Sequence, residues 1–285
     1  STLYFGGTNT ATVYGSQTNA SLICTNSNKT LRFQAGRTNT VEEALRLSGL
    51  KTHLAAIRAR LVSYLDVDQI SHDTREWIAG SLKTVYSPEA YLTPIRQALL
   101  DSYDADAITR VLVWYRSPAG RKIARLEEAA QQPGQAGARR KYLAGLEERQ
   151  PSDYRLVLIF SVDEASHASA GTTAALEALI HGWNLGIEQL GSERERQEIR
   201  QIETALGRYR AESRDDVADN VLRELMHTYR DATDGDLRAY AEFLESDAGR
   251  GFMATAFQAH QTFFEKAADQ IAEDVVNAVT RKQGT

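Results

Sequence analysis

Apolar positions alternate with polar ones near the start of the chain and settle into a three-and-four spacing from about residue 41 onward. Ala11 to Tyr14, Leu22 to Thr25 and Leu31 to Phe33 have the period of short strands, and Asn26-Ser27-Asn28 has the composition of a turn between two of them. Thr40-x-x-Glu43 reads as a capping box opening a helix that carries Leu45, Leu47, Leu50, Leu54, Ile57, Leu61 and Leu65. Asp73-x-x-Glu76 opens a second helix through Leu82, and Ser87-Pro88 a third. A fourth runs from about Asp104 to Arg116, and a fifth from Pro118 to Ala130, where Pro133-Gly134 stops the pattern. Gln135 to Glu148 predicts a short helix ended by Pro151.

Tyr154 to Val162 is nearly all apolar, and its periodicity fits a buried strand as well as a buried helix segment. Helical texture on both sides and Asp153 as a cap favour the helix. Beyond Gly171, Leu176, Leu179, Trp183, Ile187 and Leu190 line one face. Ser192-x-x-Glu195 caps a long charged helix reaching towards Tyr229, and helices over Thr233 to Leu244 and Asp247 to about Val279 complete the chain.

One short pattern occurs twice. Tyr115-Arg116-Ser117-Pro118-Ala119-Gly120-Arg121 returns 129 positions later as Leu244-Glu245-Ser246-Asp247-Ala248-Gly249-Arg250. Each copy reads as an elbow between two packed helices. The serine caps the outgoing helix, Pro118 or Asp247 suits its first turn, and the glycine admits the incoming helix. Ile108, Val111 and Trp114 fall opposite Leu237, Tyr240 and Phe243 under the same offset. The expected fold is therefore mainly all-α: two helical repeats, 41–150 and 151–285, forming a multi-helix bundle, with a short β-prone arm over 1–40.

Composition adds limits to this outline. Hydrophobic and charged contents of 42% and 25% are those of an ordinary globular protein. The net charge of −5 argues against a general nucleic-acid binder. The arm carries only Lys29, Arg32 and Arg37, so removing its three positive charges leaves the remainder at −8. No apolar run reaches membrane-spanning length. A polar tail without fixed structure is the alternative for the arm, and Leu3-Tyr4-Phe5-x-Gly7 loosely resembles the remnant of a protease-site tag. The single cysteine, Cys24, allows no intrachain disulfide.

Tyr115-Arg-Ser-Pro-Ala-Gly, after an Asp-rich helix start and a Val/Trp face, resembles the signature of domain-of-unknown-function family 2059. The stretch from Arg155 to Ser169 is similar to the segment that often follows it there, and the resemblance covers about residues 75–260. It implies an all-helical bacterial protein, usually exported to the periplasm, whose leader would already have been removed. It implies no catalytic residues, since none are established for the family.

Of the constellations that bear chemistry, the sharpest is a pair of Glu-x-x-His units, Glu164 with His167 and Glu224 with His227. Ferritin-like di-metal sites combine two such units with a glutamate from each of two further helices, here Glu128 and Glu193. Glutamate is common in this chain, and Pro133-Gly134 and Pro151 interrupt the first route, so ordinary surface and core roles outweigh a metal. His53, His72, His181 and His260 have no partner at ligand spacing and read as surface or satisfied core residues. Arg121 and Arg250 suit a bridge to a carboxylate on a neighbouring helix better than an anion site. Trp114, Tyr115, Tyr240 and Phe243 read as core before ligand groove.

No nucleophile elbow and no phosphate-binding glycine loop occurs. No catalytic residue, metal or cofactor is assigned. The leading expectation is a non-enzymatic interaction or scaffold protein of the bacterial envelope, with a protein partner or self-association. A carrier holding a small molecule or lipid between the repeats is the alternative.

Overall fold

The computed structural model describes residues 2–5, 9–14, 21–26, 29–32, 35–64, 72–132, 134–146, 148, 150–189 and 214–282. The arm is a four-stranded antiparallel meander of β1 (Thr2–Phe5), β2 (Asn9–Tyr14), β3 (Ser21–Asn26) and β4 (Lys29–Arg32). Its register sets Leu3 opposite Ala11, Ala11 opposite Cys24, and Cys24 opposite Leu31. Sequence alternation located β2 to β4, whereas β1 falls on the stretch that resembles a tag remnant.

Helices follow from α1 (Ala35–Leu47) and α2 (Leu50–Tyr64) through α3 (His72–Val85), α4 (Pro88–Asp101), α5 (Ala105–Arg116) and α6 (Pro118–Ala130). Then come α7 (Gln135–Ala144), α8 (Asp153–Ser166), α9 (Ala168–Glu188), α10 (Arg214–Thr228), α11 (Asp234–Glu245) and α12 (Asp247–Lys282). Of the charged helix expected from Ser192 towards Tyr229, the part before Arg214 lies outside the described residues, as do Glu193 and Leu190, and the remainder is α10.

The first helical segment differs from the expectation. Thr40 does not cap: it lies inside α1, and its hydroxyl donates to the Gly36 carbonyl. The single helix expected through Leu65 is broken at Ser48-Gly49, where Gly49 has φ +70°. That left-handed conformation suits glycine and closes α1 as a C-terminal stop. Asp153 likewise yields its capping role to Ser152, whose hydroxyl accepts from the Arg155 N–H at 3.2 Å.

Both elbows have the geometry their residues require. Helices α5 and α11 have bounds that differ by the same 129 positions, and each ends at a serine in extended backbone. Ser117 Oγ accepts from the Gly120 N–H at 3.0 Å, and Ser246 Oγ from the Gly249 N–H at 3.1 Å. A Cβ on Gly120 would lie 2.2 Å from the Trp114 carbonyl oxygen, and one on Gly249 would lie 2.0 Å from that of Phe243. The elbows also touch each other: the Trp114 ring stacks on Phe243 with centroids 4.9 Å apart.

Arg121 donates to the Arg116 carbonyl, and Arg250 pairs with Asp247 on its own helix. The bridge to a neighbouring-helix carboxylate expected of these arginines is therefore made by others. Lys122 bonds Asp236 at 2.5 Å and joins α6 to α11, and Arg155 bonds Asp234 at 2.7 Å and joins α8 to α11.

The outgoing arm of the second elbow is the spine of the bundle. Helix α12 spans 36 residues, about 54 Å at 1.5 Å per residue. It packs along α9, α4, α5 and α3. Its closest partner is α9, where a Cβ on Gly182 would come within 2.3 Å of the Ala268 carbonyl oxygen. Tyr86, Tyr91, Phe263 and Phe264 form a buried aromatic cluster beside this crossing.

Because a backbone carbonyl cannot step aside as a side chain does, Gly120→Ala and Gly249→Ala are each expected to lower stability by more than about 2 kcal/mol. Gly80→Ala, on α3 with open space at its Cβ, should instead gain about 0.5–1 kcal/mol. Urea denaturation of the three variants checks both signs.

Candidate functional site

The ends of several helices border a cavity with about 90 Å³ open to water, room for a few water molecules or a small solute. Its wall draws on residues 48–131 and on residues 166–260. The ends of α1, α6, α8 and α10 supply Gly49, Glu127, His167 and Thr228, and α12 supplies Met253, Ala256, Phe257 and His260.

Glu127, in the last turn of α6, is the one residue of ordinarily charged type in the wall. Its Oε1 accepts from the Tyr229 hydroxyl at 2.7 Å and from the Tyr240 hydroxyl at 3.3 Å. The other oxygen, Oε2, lies where a Cβ on Gly49 would sit only 2.7 Å away. Glycine at position 49 thus serves the turn and makes room for the carboxylate. The side chain keeps partial exposure because it borders the cavity, while protein surrounds the carboxyl group on its other sides.

The tyrosines are held from behind. The Arg155 guanidinium donates to the carbonyls of Tyr229 at 2.7 Å and Ala232 at 3.1 Å, so it fixes the loop between α10 and α11 that carries Tyr229. Thr233 caps α11 in a full capping box with Asp236. Lys122 and Thr233 hold the Asp236 carboxyl down at about 2. Tyr115 and Tyr240 line the cavity, and Trp114 and Phe243 stack behind them. The aromatic set read as core thus serves both purposes.

Histidines form the opposite wall. His260 Nε2 lies 3.2 Å from the Gly171 carbonyl and Nδ1 2.9 Å from the Tyr91 hydroxyl. A carbonyl only accepts, so Nε2 carries the proton and Nδ1 accepts from Tyr91. Gly171 admits this ring, since a Cβ there would meet Nε2 at 3.1 Å. His167 ends α8 with φ +57°, a conformation that costs a non-glycine residue energy, and its ring stacks on Phe257 at 4.5 Å. His53 borders the same space.

The two Glu-x-x-His units serve elsewhere. Glu164 is exposed and Glu224 pairs with Arg139 at 3.1 Å, while His227 packs on Tyr142. Only His167 reaches the cavity. Glu128 is exposed; its neighbour Glu127 is the carboxylate that the fold buries. Among the described residues no group of three or more His, Cys, Asp or Glu is arranged to hold a metal ion. Sequence reasoning missed Glu127, Tyr229 and His260 as a set. The signal available was slight: a glutamate on the inner face of a helix two residues beyond Arg125.

Burial pushes the Glu127 carboxyl up from 4.5 to about 7, against the lowering effect of the Tyr229 and Tyr240 hydroxyls. The folded protein holds a proton there that the unfolded chain releases. Stability therefore falls as pH rises from about 4.5 to about 7, by at most about 1.4 kcal/mol per pH unit. Burial lowers the His260 imidazole from 6.5 to about 4, and its contribution is lost as pH falls through that range. The two slopes oppose each other where the windows overlap. Glu127→Gln removes one of them, so the stability of this variant relative to the parent should rise between pH 4.5 and 7 and level off above. Denaturation midpoints measured across this range check the outcome.

No curated protein and no solved structure gives a significant match to the chain. The family model described as "Uncharacterized protein conserved in bacteria (DUF2059)" matches residues 93–148. That span runs from within α4 through α7, includes the first elbow and Glu127, and stops short of Arg155. No helix among the described residues is long and apolar enough to cross a membrane. Over residues 93–148 the chain is similar to this family of bacterial proteins, domain-of-unknown-function family 2059.

Proposed function

We propose that the protein binds a small molecule in the cavity between its two helical halves, as a carrier or sensor rather than an enzyme. The observation that carries this reading is the cavity itself, walled by both halves and holding one largely enclosed carboxylate with no Lys or Arg beside it among the described residues. Enclosed positions do not ordinarily collect a carboxylate without a cationic partner, because removing its charge from water is costly; a ligand would offset that cost. The wall serines point away from nucleophilic chemistry: Ser48 Oγ donates to the Leu45 carbonyl and Ser166 Oγ to that of Asp163. We read the two halves as tandem helical repeats, which the shared 129-residue offset of α5 and α11 supports. The periplasm is the compartment proposed, on the family resemblance alone.

A specific observation favours a second reading as an interaction protein. Helix α8 buries Leu158, Ile159 and Val162 but leaves Tyr154, Val157 and Phe160 exposed at 51%, 60% and 54%. Three large apolar side chains at i, i+3 and i+6 form a stripe suited to a protein partner or a second copy. This stripe also corrects the expectation for Tyr154 to Val162, whose apolar run is only half buried.

Native mass spectrometry of freshly purified protein should show a species heavier than the bare chain. Ala256→Leu, which fills part of the cavity, should remove that species while leaving the helical circular dichroism unchanged. Only bare chain in repeated preparations would count against the carrier. For the second reading, sedimentation velocity over a concentration series should show association that Phe160→Glu abolishes; concentration-independent sedimentation of the parent would remove self-association.

A further inference from the structure

The unusual feature of the cavity is the electrostatic balance of its wall. Glu127 has no ion-pair partner among the described residues, and no Lys or Arg lines the space. Both tyrosine hydroxyls are committed to Oε1, whereas Oε2 receives no hydrogen bond from the described residues. An acceptor oxygen beside a cavity and without a donor calls for a donor on the ligand.

The helix ends point to the sign of that donor. The C-termini of α1 and α8 face the cavity, but the N-termini of α2 and α9 lie beside them and offset their dipoles. The last turns of α6 and α10, with Glu127 and Thr228, have no such counterpart among the lining residues. They add partial negative charge to the cavity even before Glu127 ionises. The rings of Tyr115, Tyr229, Tyr240 and Phe257 add aromatic faces, which attract a cation that has shed its water. A single carboxylate among aromatic rings supplies too few oxygens for calcium or magnesium. An anion would meet Glu127 and two negative helix ends, with no Lys or Arg among the lining residues to receive it.

We propose that the cavity binds a small organic ammonium ion, with Glu127 as its counter-ion and the tyrosine rings as its walls. This rests on the small-molecule reading above and narrows it to one chemical class. Binding is coupled to protonation, because the ligand and a proton compete for Glu127. The titratable groups facing that carboxylate are Tyr115 on α5, Tyr229 after α10 and Tyr240 on α11, whose hydroxyls burial drives further up and which stay neutral. His53, His167 and His260 border the same space.

The test is titration calorimetry at pH 8 with propylammonium and tetramethylammonium chlorides, against 1-propanol and sodium propionate as neutral and anionic counterparts of similar size. An ammonium ion is expected to bind at least tenfold more tightly than the alcohol, with propionate weakest. Affinity should fall towards tenfold per unit as pH drops below about 7. Glu127→Gln should lose at least tenfold with the fold intact by circular dichroism. Tyr240→Phe, which removes one donor to Oε1, should move the midpoint of the pH dependence upward, and it supplies the test if the Gln variant fails to fold. Equal binding of ammonium and alcohol, preference for propionate, or full retention by Glu127→Gln would overturn the ammonium assignment and leave the cavity reading standing. If none of the four probes binds and native mass spectrometry finds bare chain, both fail together.

Discussion

At each elbow a glycine presses against a carbonyl oxygen, and this contact sets the angle at which the main helices meet. The serine before it ends one helix and caps the next, so the chain turns without a loop. The absent Cβ lets the outgoing helix start in the position an alanine would block, against Trp114 in one case and Phe243 in the other. Those two residues then stack on each other. One constraint therefore fixes two corners and the contact between them, and α12, launched from the second corner, packs along α9, α4, α5 and α3.

Corners of this kind leave helix ends pointing inward. Short helices cannot fill the centre of a bundle as long ones do, so a cavity remains where α1, α6, α8 and α10 stop. The carbonyl ends gathered there would be costly facing apolar side chains alone, and the wall accordingly mixes apolar residues with tyrosine hydroxyls, histidine rings and one carboxylate. Glu127 is the residue on which these effects converge. Burial raises its affinity for a proton, two tyrosines lower it, and the balance lies near neutral pH. A group poised in that way responds to any charge that enters beside it.

The elbows were legible in advance because a capping serine, a proline or acid after it and a close-contact glycine act through neighbours in the sequence. The same is true of Ser87, Asp104 and Thr233, each of which caps the helix expected of it. Misreadings arose where two local signals competed. Thr40 has the residues of a capping box yet lies within α1, since the helix begins earlier at Ala35. Gly49 reads as one glycine in a long leucine pattern, yet its left-handed backbone splits that pattern in two. The apolar run from Tyr154 to Val162 reads as helix, but composition does not reveal that Tyr154, Val157 and Phe160 on one face are exposed.

Most helix positions, the caps at Ser87, Asp104 and Thr233 and both corners followed from the sequence alone, because each depends on hydrogen bonds and backbone preferences spanning a few residues. The site did not. Glu127, Tyr229, Tyr240 and His260 lie far apart along the chain, and nothing in their spacing distinguishes Glu127 from the exposed Glu128 beside it. Only the packed arrangement of α6 against α10 and α11 decides which carboxylate is turned inward and which hydroxyls meet it. Burial and charge depend on three-dimensional distance, and that is decided by tertiary structure.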